Sequence, residues 1–480
     1  IGTASVSTEL IRELPTILEP DVFRSIQLLP GVKAISDFSS GLYIRGGSPD
    51  QTLILLDRTT VYNPTHFFGF FSTFNPDAIK DVRVFKGGYP AEYGGRLGSV
   101  VDIYNKDGNR RELDGTVSVG LLASRALVEG PVGDDVSFML AARRSTLEPL
   151  FAALKASDVE GLPNGFYFYD LNGKLNWDAT DKDRFSASFY AGRDDVDIEF
   201  LDATAGALLN YGNMTGSLNY TRIFSPSLFA TVTATASRYF SDVDFTFSET
   251  TISQSTRITD YSIKTDVQWI PSERHEMRLG TWAGRFDFGF EQGFNGEVNF
   301  DPAIGSTYAS VYAQERFSPN AFVSVEGGLR MQYFGDGDFY RLEPRLNVEY
   351  KPRGDESLRF QVGYGRYNQF LTLITSEVFS GADFWLTSAD GVPPASGDQF
   401  VAGIKTQVSP DLQLDVEGYY RTMNDLFIVD PYLNDPAGLD YEQFFLFGEG
   451  VAWGAEFQLT GRIGRFSGFA AYTYSLTARS

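Results

Sequence analysis

The stretch "LQLDVEGYY" at residues 412–420 alternates strictly: Leu412, Leu414 and Val416 fall on one face of an extended chain, Gln413, Asp415 and Glu417 on the other. Such a strand has one apolar and one polar face, as a strand between lipid and water requires. "AFVSVEGGLRMQY" at 321–333 repeats the pattern, with Ala321, Val323, Val325, Leu329 and Met331 opposite Ser324, Glu326, Arg330 and Gln332. "SLRFQVGYGRY" (357–367) and "WGAEFQLTG" (453–461) do the same. From about residue 115 onward, strands of roughly 9–14 residues succeed one another, each closed by a turn signal.

A soluble antiparallel sheet also alternates, so the connections decide. Short turns recur at "GDD" 133–135, "TDKD" 180–183, "SPS" 225–227, "PSE" 271–273, "SPN" 318–320, "KPRGDE" 351–356, "SPD" 409–411 and "IGR" 463–465. Between successive turns lie two strands joined by a loop that is often much longer, the longest at 148–166, 371–398 and 426–450. Short turns on one rim and long loops on the other mark an outer-membrane barrel. A β-sandwich has no reason to sort its loops by length. The count reaches about seventeen strands, an odd number, whereas single-chain bacterial barrels close with an even one. The last segment, "RFSGFAAYTYSLTARS" at 465–480, reads as a strand cut off midway, so the barrel is expected to be incomplete at its C-terminus. A barrel this wide cannot fill itself with side chains, and its lumen must hold water or a plug.

Composition narrows the function. A net charge of −22 argues against a phosphate-tracking surface, which excludes nucleic acid as a partner. The absence of Cys removes thiol nucleophiles, Cys-based zinc sites and disulfides, and the two histidines, His66 and His275, leave little for a His-based triad or metal centre. Paired carboxylates are everywhere in so acidic a chain and single out no general acid and base. The reading is therefore of a protein that is not an enzyme and that needs no cofactor or metal. No run approaches the ~20 apolar residues of a membrane-spanning helix. The chain opens without a charged-then-apolar leader, which fits a cytoplasmic protein or a processed envelope protein.

Residues 1–110 read as a separate, small α+β unit ahead of a barrel at 111–480. "LEPDVFRSIQLLPGV" (18–32) suggests a short helix with Val22, Phe23, Ile26 and Leu29 on one side, an acidic cap before it and Pro30-Gly31 after it. "LILLD", "DVRVFK" and "VVDIYN" are short apolar strands.

The succession "LLPGV" (28–32), "YIRGG" (43–47), "LILLD" (53–57), "DAIKDVRVFKGG" (77–88) and "AEYGGRLGSVVDI" (91–103) resembles, motif by motif and in order, the plug domain of TonB-dependent outer-membrane receptors. Ile44, Gly46, Gly47, Asp57, Gly87, Gly88, Tyr93, Gly94 and Gly95 are the plug-motif positions. "FYFYDLNGKLNWDATDKDRFSASFY" (166–190) and "GVAWGAEFQL" (450–459) resemble early and late barrel strands of that family, and "VYNPTHFFGFFSTFNPDAIK" (61–80) looks like its Bacteroidota-type branch. The resemblance implies an all-β transmembrane antiparallel barrel of about 22 strands, about seventeen of them present here, with the N-terminal plug inside the lumen. It also implies that Arg45 and a second basic residue, here Lys86 where the family usually has Arg, pair with barrel carboxylates. Alternation offers Glu456 and Glu417. Arg45 could instead simply brace the plug fold. Arg58 stands where the family usually has Gly, and if Asp57 caps a tight turn, Arg58 meets an unfavourable backbone conformation there.

"NPTHFFGFFSTF" (63–74) presents His66, Phe67, Phe68, Phe70 and Phe71 either as ligand contacts or as packing against the barrel wall. Asp194, Asp195, Asp197 and Glu199, and separately Asp336 and Asp338, offer oxygens to a hard cation, or are solvated charge and bridges between lipopolysaccharides. Trp177, Tyr190, Trp269 and Tyr350 read as interfacial girdle residues. By resemblance the function is active import across the bacterial outer membrane of a scarce solute such as a ferric siderophore, cobalamin, glycan or peptide. Its partners would be the TonB–ExbB–ExbD complex, outer-membrane lipid and lipopolysaccharide, and a surface lipoprotein or other envelope protein. The alternative is a non-transporting scaffold subunit of an envelope assembly. The acidic balance argues mildly against anionic substrates entering without a cation.

Overall fold

The computed structural model describes residues 2–480 except 8–10, 12–18, 35–40, 68, 158–162, 201–204, 375–382, 431–439 and 465. One antiparallel sheet of eighteen strands runs in sequence order from Asp114–Val119 to Phe466–Arg479. Seventeen are wall staves, and the other, Glu297–Phe300, is a short strand folded against His275–Phe294, which pairs directly with the next stave, Ala303–Phe317. Among the described residues no ladder joins the first and last strands.

Alternation sets the two faces of this wall. Leu329 and Met331 lie 47% and 46% exposed on the outside, while their neighbours Arg330 and Gln332 point into the lumen at 1% and 6%. Trp177, Trp269 and Tyr350 face outward near strand ends. Tyr190 does not: it shares parity with Asp194, turns into the lumen and donates to Asp170 Oδ1 at 2.8 Å, leaving the outer face to Phe189. The strands from Asp183–Phe200 to His275–Phe294 have 18–23 residues, longer than the sequence pattern suggested. They exceed the roughly 9–11 residues that cross a bilayer. The expected 426–450 loop shrinks for the same reason, because Leu412–Val429 and Phe445–Ile463 absorb both of its ends. The segment read as half a strand forms one of fourteen residues, paired from Ile463↔Phe466 to Gly450↔Arg479.

The N-terminal residues build a second sheet in the order Thr3–Ser7, Ile79–Phe85, Ser99–Asn105, Thr52–Leu56, Thr59–Thr60. Its strand Thr52–Leu56 is buried throughout and pairs in parallel with Ser99–Asn105, which accounts for its unbroken apolar run. The helix Val22–Gln27 is capped by Asp21, whose side chain accepts from Arg24 N at 2.9 Å. It buries Val22, Phe23 and Ile26 against Phe74, Ile79, Val82, Val101 and Ile103, and Leu29 packs at the margin.

Two turns of this sheet carry side chains to the barrel. In "YIRGG", Arg45 and Gly46 both have positive φ (49° and 74°), and Gly47 N donates to Ile44 O at 2.9 Å. Two left-handed residues in succession make a type I′-like turn, for which Gly46 is suited and Arg45 is not. After "LILLD", Asp57 and Arg58 are left-handed too, at 45° and 70°. Asp57 does not cap that turn; its carboxylate accepts from Asn105 Nδ2 at 2.7 Å and from the barrel's Lys174 at 3.0 Å. The conformation forced on Arg58 costs about 1–2 kcal/mol. Barrel contacts hold it: Arg58 pairs with Asp266, and Lys264 Nζ donates to Arg58 O at 2.7 Å.

Candidate functional site

Glu417 and Glu456 lie directly opposite each other on adjacent barrel strands. Like charges in that register repel. Two cations from the N-terminal unit meet them. Arg45 donates through Nε to Glu456 Oε1 at 2.7 Å and through Nη2 to Glu456 Oε2 at 2.9 Å, and also reaches Glu417. Lys86 pairs with Glu456, lies 3.6 Å from Glu417 and donates to Pro30 O at 3.0 Å. The compact ammonium thus binds one carboxylate and a backbone carbonyl, while the guanidinium forks across two carboxylates. Glu456 is 2% exposed and Glu417 19%, so Glu456 is the more deeply committed partner. Burial pulls the Arg45 guanidinium down, but the two carboxylates outweigh it and leave it above its ordinary value.

A second cluster sits on a separate stretch of wall, formed by Val136–Ser145, Gly165–Asp178 and Asp183–Phe200. His66 is enclosed between two barrel carboxylates, Nε2 to Asp170 Oδ1 at 2.7 Å and Nδ1 to Asp194 Oδ2 at 2.5 Å, with Phe168 stacked on its ring at 4.5 Å. Arg143 reaches Asp170 at 2.6 Å, Glu19 at 3.2 Å and Ser72 O at 2.8 Å. Phe67 N donates to Asp194 Oδ1 at 3.0 Å, and Ser72 N to Asp21 Oδ2 at 2.6 Å. Burial opposes the charge on His66, but Asp170 and Asp194 outweigh it and raise its pKa to about 9. Burial raises the Glu19 carboxyl, with Arg143 only partly offsetting it.

This yields a pH prediction with a fixed sign. A histidine whose folded pKa lies above its unfolded value stabilises fully below about pH 6.5, and the contribution is lost as pH rises through about 9. The shift corresponds to about 3 kcal/mol. Thermal melting of the detergent-solubilised protein should therefore fall between pH 7 and 10, and the fall should flatten in His66→Gln. An equal fall in that variant would show that His66 does not hold the interface.

Between the two clusters, barrel side chains grip the backbone of "YPAEYGGRLG", whose peptide groups have few partners of their own. Arg330 Nη1 donates to Ala91 O and Glu92 O, both at 3.1 Å; Gln314 Oε1 accepts from Ala91 N at 2.7 Å; Gln399 Nε2 donates to Gly98 O at 3.0 Å. A Cβ on Gly94 would overlap the Arg330 guanidinium, so a side chain there would push that arginine out of its grip on Ala91 O and Glu92 O. Gly88 O accepts from Asn347, Gly87 lies beside Gln399, Gly95 is left-handed, and Tyr93 donates to Asp102 at 2.8 Å. Ile44 is buried in the core.

The residues singled out from sequence thus fall into groups. Arg45, Lys86, Glu417 and Glu456 come together. Of the aromatic set, His66 and Phe71 are enclosed against the wall, Phe67 and Phe70 are partly buried, Phe67 packing on Phe166 at 4.4 Å, and Phe68 lies outside the described residues. The aspartates of 194–197 do not converge: Asp194 turns inward to His66, and Asp195 pairs with Arg193 at 3.1 Å. Asp336 accepts from Asp390 N and Asp338 from Tyr333. Among the described residues no group of three or more His, Cys, Asp or Glu could hold a metal ion. Sequence reasoning missed Arg143, Asp170 and Glu19; the strand parity of Arg143 and Asp170 was visible, but nothing local paired them, and Glu19, ahead of the helix, carried no such signal.

A family model for the TonB-dependent receptor-like β-barrel matches residues 140–480, and one for the TonB-dependent receptor plug domain matches residues 3–100. The chain belongs to the TonB-dependent receptor family. No curated protein matches it in sequence. Solved structures share the fold of this TonB-dependent receptor at low identity. The siderophore receptor PirA of Pseudomonas aeruginosa is 18% identical with a TM-score of 0.71, covering 99% of this chain and 85% of that one. The outer membrane transporter YddB of Escherichia coli is 13% identical with a TM-score of 0.73, over 100% and 77%. A mutant ferric enterobactin receptor of Pseudomonas aeruginosa in complex with enterobactin is 15% identical with a TM-score of 0.70, over 99% and 81%. The receptor is accordingly an outer-membrane β-barrel with an N-terminal plug, in a family of transporters and receptors rather than enzymes.

Proposed function

We propose that this receptor imports a scarce solute across the outer membrane, with residues 1–110 acting as a plug that the TonB–ExbB–ExbD complex displaces. The outer membrane has no ATP supply of its own, so the work of displacement comes from a partner. One observation carries the reading: the plug is held by discrete ionic clusters on separate stretches of the wall, Arg45 and Lys86 on Glu417 and Glu456, His66 and Glu19 on Asp170, Asp194 and Arg143. Buried pairs of this kind are strong against loss of one partner yet contribute little net stability over an apolar contact. They hold a plug in register and can be re-formed after displacement. The solved neighbours include a siderophore receptor and an enterobactin complex, which favours an iron-chelate or similarly sized solute.

The outer loops support import over a purely scaffolding role. The hairpin of Leu371–Ile374 with Phe384–Thr387 folds inward and packs with Phe444 and Phe445 onto Tyr62 of the plug and Phe286, Phe288 and Phe290 of the wall. This roof covers an open-sided space above the plug. Cells carrying the protein should accumulate one solute class from a mixed nutrient panel, and collapse of the proton-motive force should return uptake to the level of cells without it. Uptake unaffected by that collapse, or no solute distinguishing the two strains, would overturn the proposal.

A further inference from the structure

Beneath the roof is a cavity of about 80 Å3 between plug and wall. Leu53, Tyr62, Trp282, Phe286, Phe334 and Phe370 supply its apolar lining. The plug's Arg96 also lines it and is 8% exposed. The other buried plug arginine, Arg45, has its carboxylates, but Arg96 has none within 4.0 Å among the described residues. Its Nη1 donates to the neighbouring carbonyl Gly95 O at 2.9 Å, its guanidinium lies 5.6 Å from the Trp385 ring centre, and its Nε has no partner. Asp260, on the same cavity, accepts from Tyr62 at 3.1 Å and Tyr308 at 2.6 Å instead. Two more lining atoms, Gln332 Oε1 and Trp282 Nε1, are also buried without partners.

A guanidinium is never deprotonated in a protein, so Arg96 is a fixed charge out of water with no carboxylate in contact among the described residues, Asp260 and Asp50 acting on it only from a distance. The unmet needs here are two donors, one of them cationic, and one acceptor, set among aromatic rings. We infer that this cavity is a solute subsite that takes a carboxylate on an apolar or aromatic stem, the carboxylate docking on Arg96 and the stem lying among the rings. The inference rests on the import reading for its biological use and names the chemistry of the solute. A monoanion is favoured over a phosphate dianion, because each further negative charge is repelled by Asp260 and Asp50 and only the contact with Arg96 offsets it. The receptor's overall acidity is no obstacle, because recognition is set by the one cation in contact and not by the sum over the chain.

Calorimetric titration of the intact, detergent-purified receptor tests this with benzoate, its neutral amide benzamide and phenyl phosphate. Benzoate should bind at least about tenfold more tightly than either, since charge-assisted hydrogen bonds are roughly twice as strong as neutral ones. Arg96→Gln should erase the preference over benzamide, and Arg96→Lys should keep part of it, retaining the charge without the fork. Wild-type protein that does not separate benzoate from benzamide would overturn the inference without any variant being needed. So would a folded Arg96→Gln protein that binds benzoate unchanged, and tighter binding of phenyl phosphate would overturn the assignment to a carboxylate. Benzoate discrimination without energised uptake would sink the import reading alone; energised uptake without discrimination would sink this inference alone.

Discussion

Replacing Glu456 with Gln should destabilise the plugged receptor by about 3–5 kcal/mol, the range expected when one partner of a buried ion pair is removed. Glu456 accepts both arms of Arg45 and also Lys86, so its loss leaves two buried cations sharing Glu417. Glu417→Gln should cost less, because Glu417 is partly exposed and Glu456 retains the bidentate contact. Glu456→Gln should also raise ion conductance in planar bilayers, since the anchor on that wall is weakened while the strand pairing of the barrel is kept. A melting temperature and conductance equal to wild type would show that Arg45 only braces the plug's own turn. The geometry argues against that reading, because Arg45 adopts a left-handed conformation that it reaches only at a cost, and its guanidinium ends on the wall.

Arg143→Met should be comparably severe. Arg143 is fully buried, and removing its charge takes the contact cation from Asp170 and Glu19, leaving His66 on Asp170 and only the more distant Arg125 for Glu19. The expected loss is again about 3–5 kcal/mol. Arg143→Met combined with Asp170→Asn should be less harmful than the sum of the single changes, by about 0.5–3 kcal/mol, as for partners in one network. Strict additivity in a double-mutant cycle of thermal stabilities would mean that the pair is not coupled. Because this cluster and the Glu456 cluster lie on separate strands with no shared partner, Glu456→Gln and Arg143→Met should add nearly independently.

Much of the architecture was legible because strand period, turn chemistry and charge are local properties. Leu412, Leu414 and Val416 against Gln413, Asp415 and Glu417 already state which side faces lipid, and short turns against long loops state which rim is which. The same parity placed Glu417 and Glu456 in the lumen. It also assigns Tyr190 to the lumen with Asp194, against the girdle position that its aromatic character at a strand end suggested. Strand length was underestimated between 183 and 294 because polar-faced strands that rise above the bilayer carry no hydrophobic mark of where the membrane ends.

By itself the sequence determined a wide lipid-facing barrel, an N-terminal unit of different texture, and the residue types at the turn "YIRGG". Only the tertiary structure decided which charges meet. Arg45 and Glu456 are 411 residues apart and His66 and Asp194 128, and their encounters depend on how the plug is rotated inside the wall. The same holds for Arg96, an ordinary residue in a glycine-rich motif until the fold buries it with its Nε unpartnered. Alternation fixes the face on which a side chain lies; partnership requires the distances that only packing supplies.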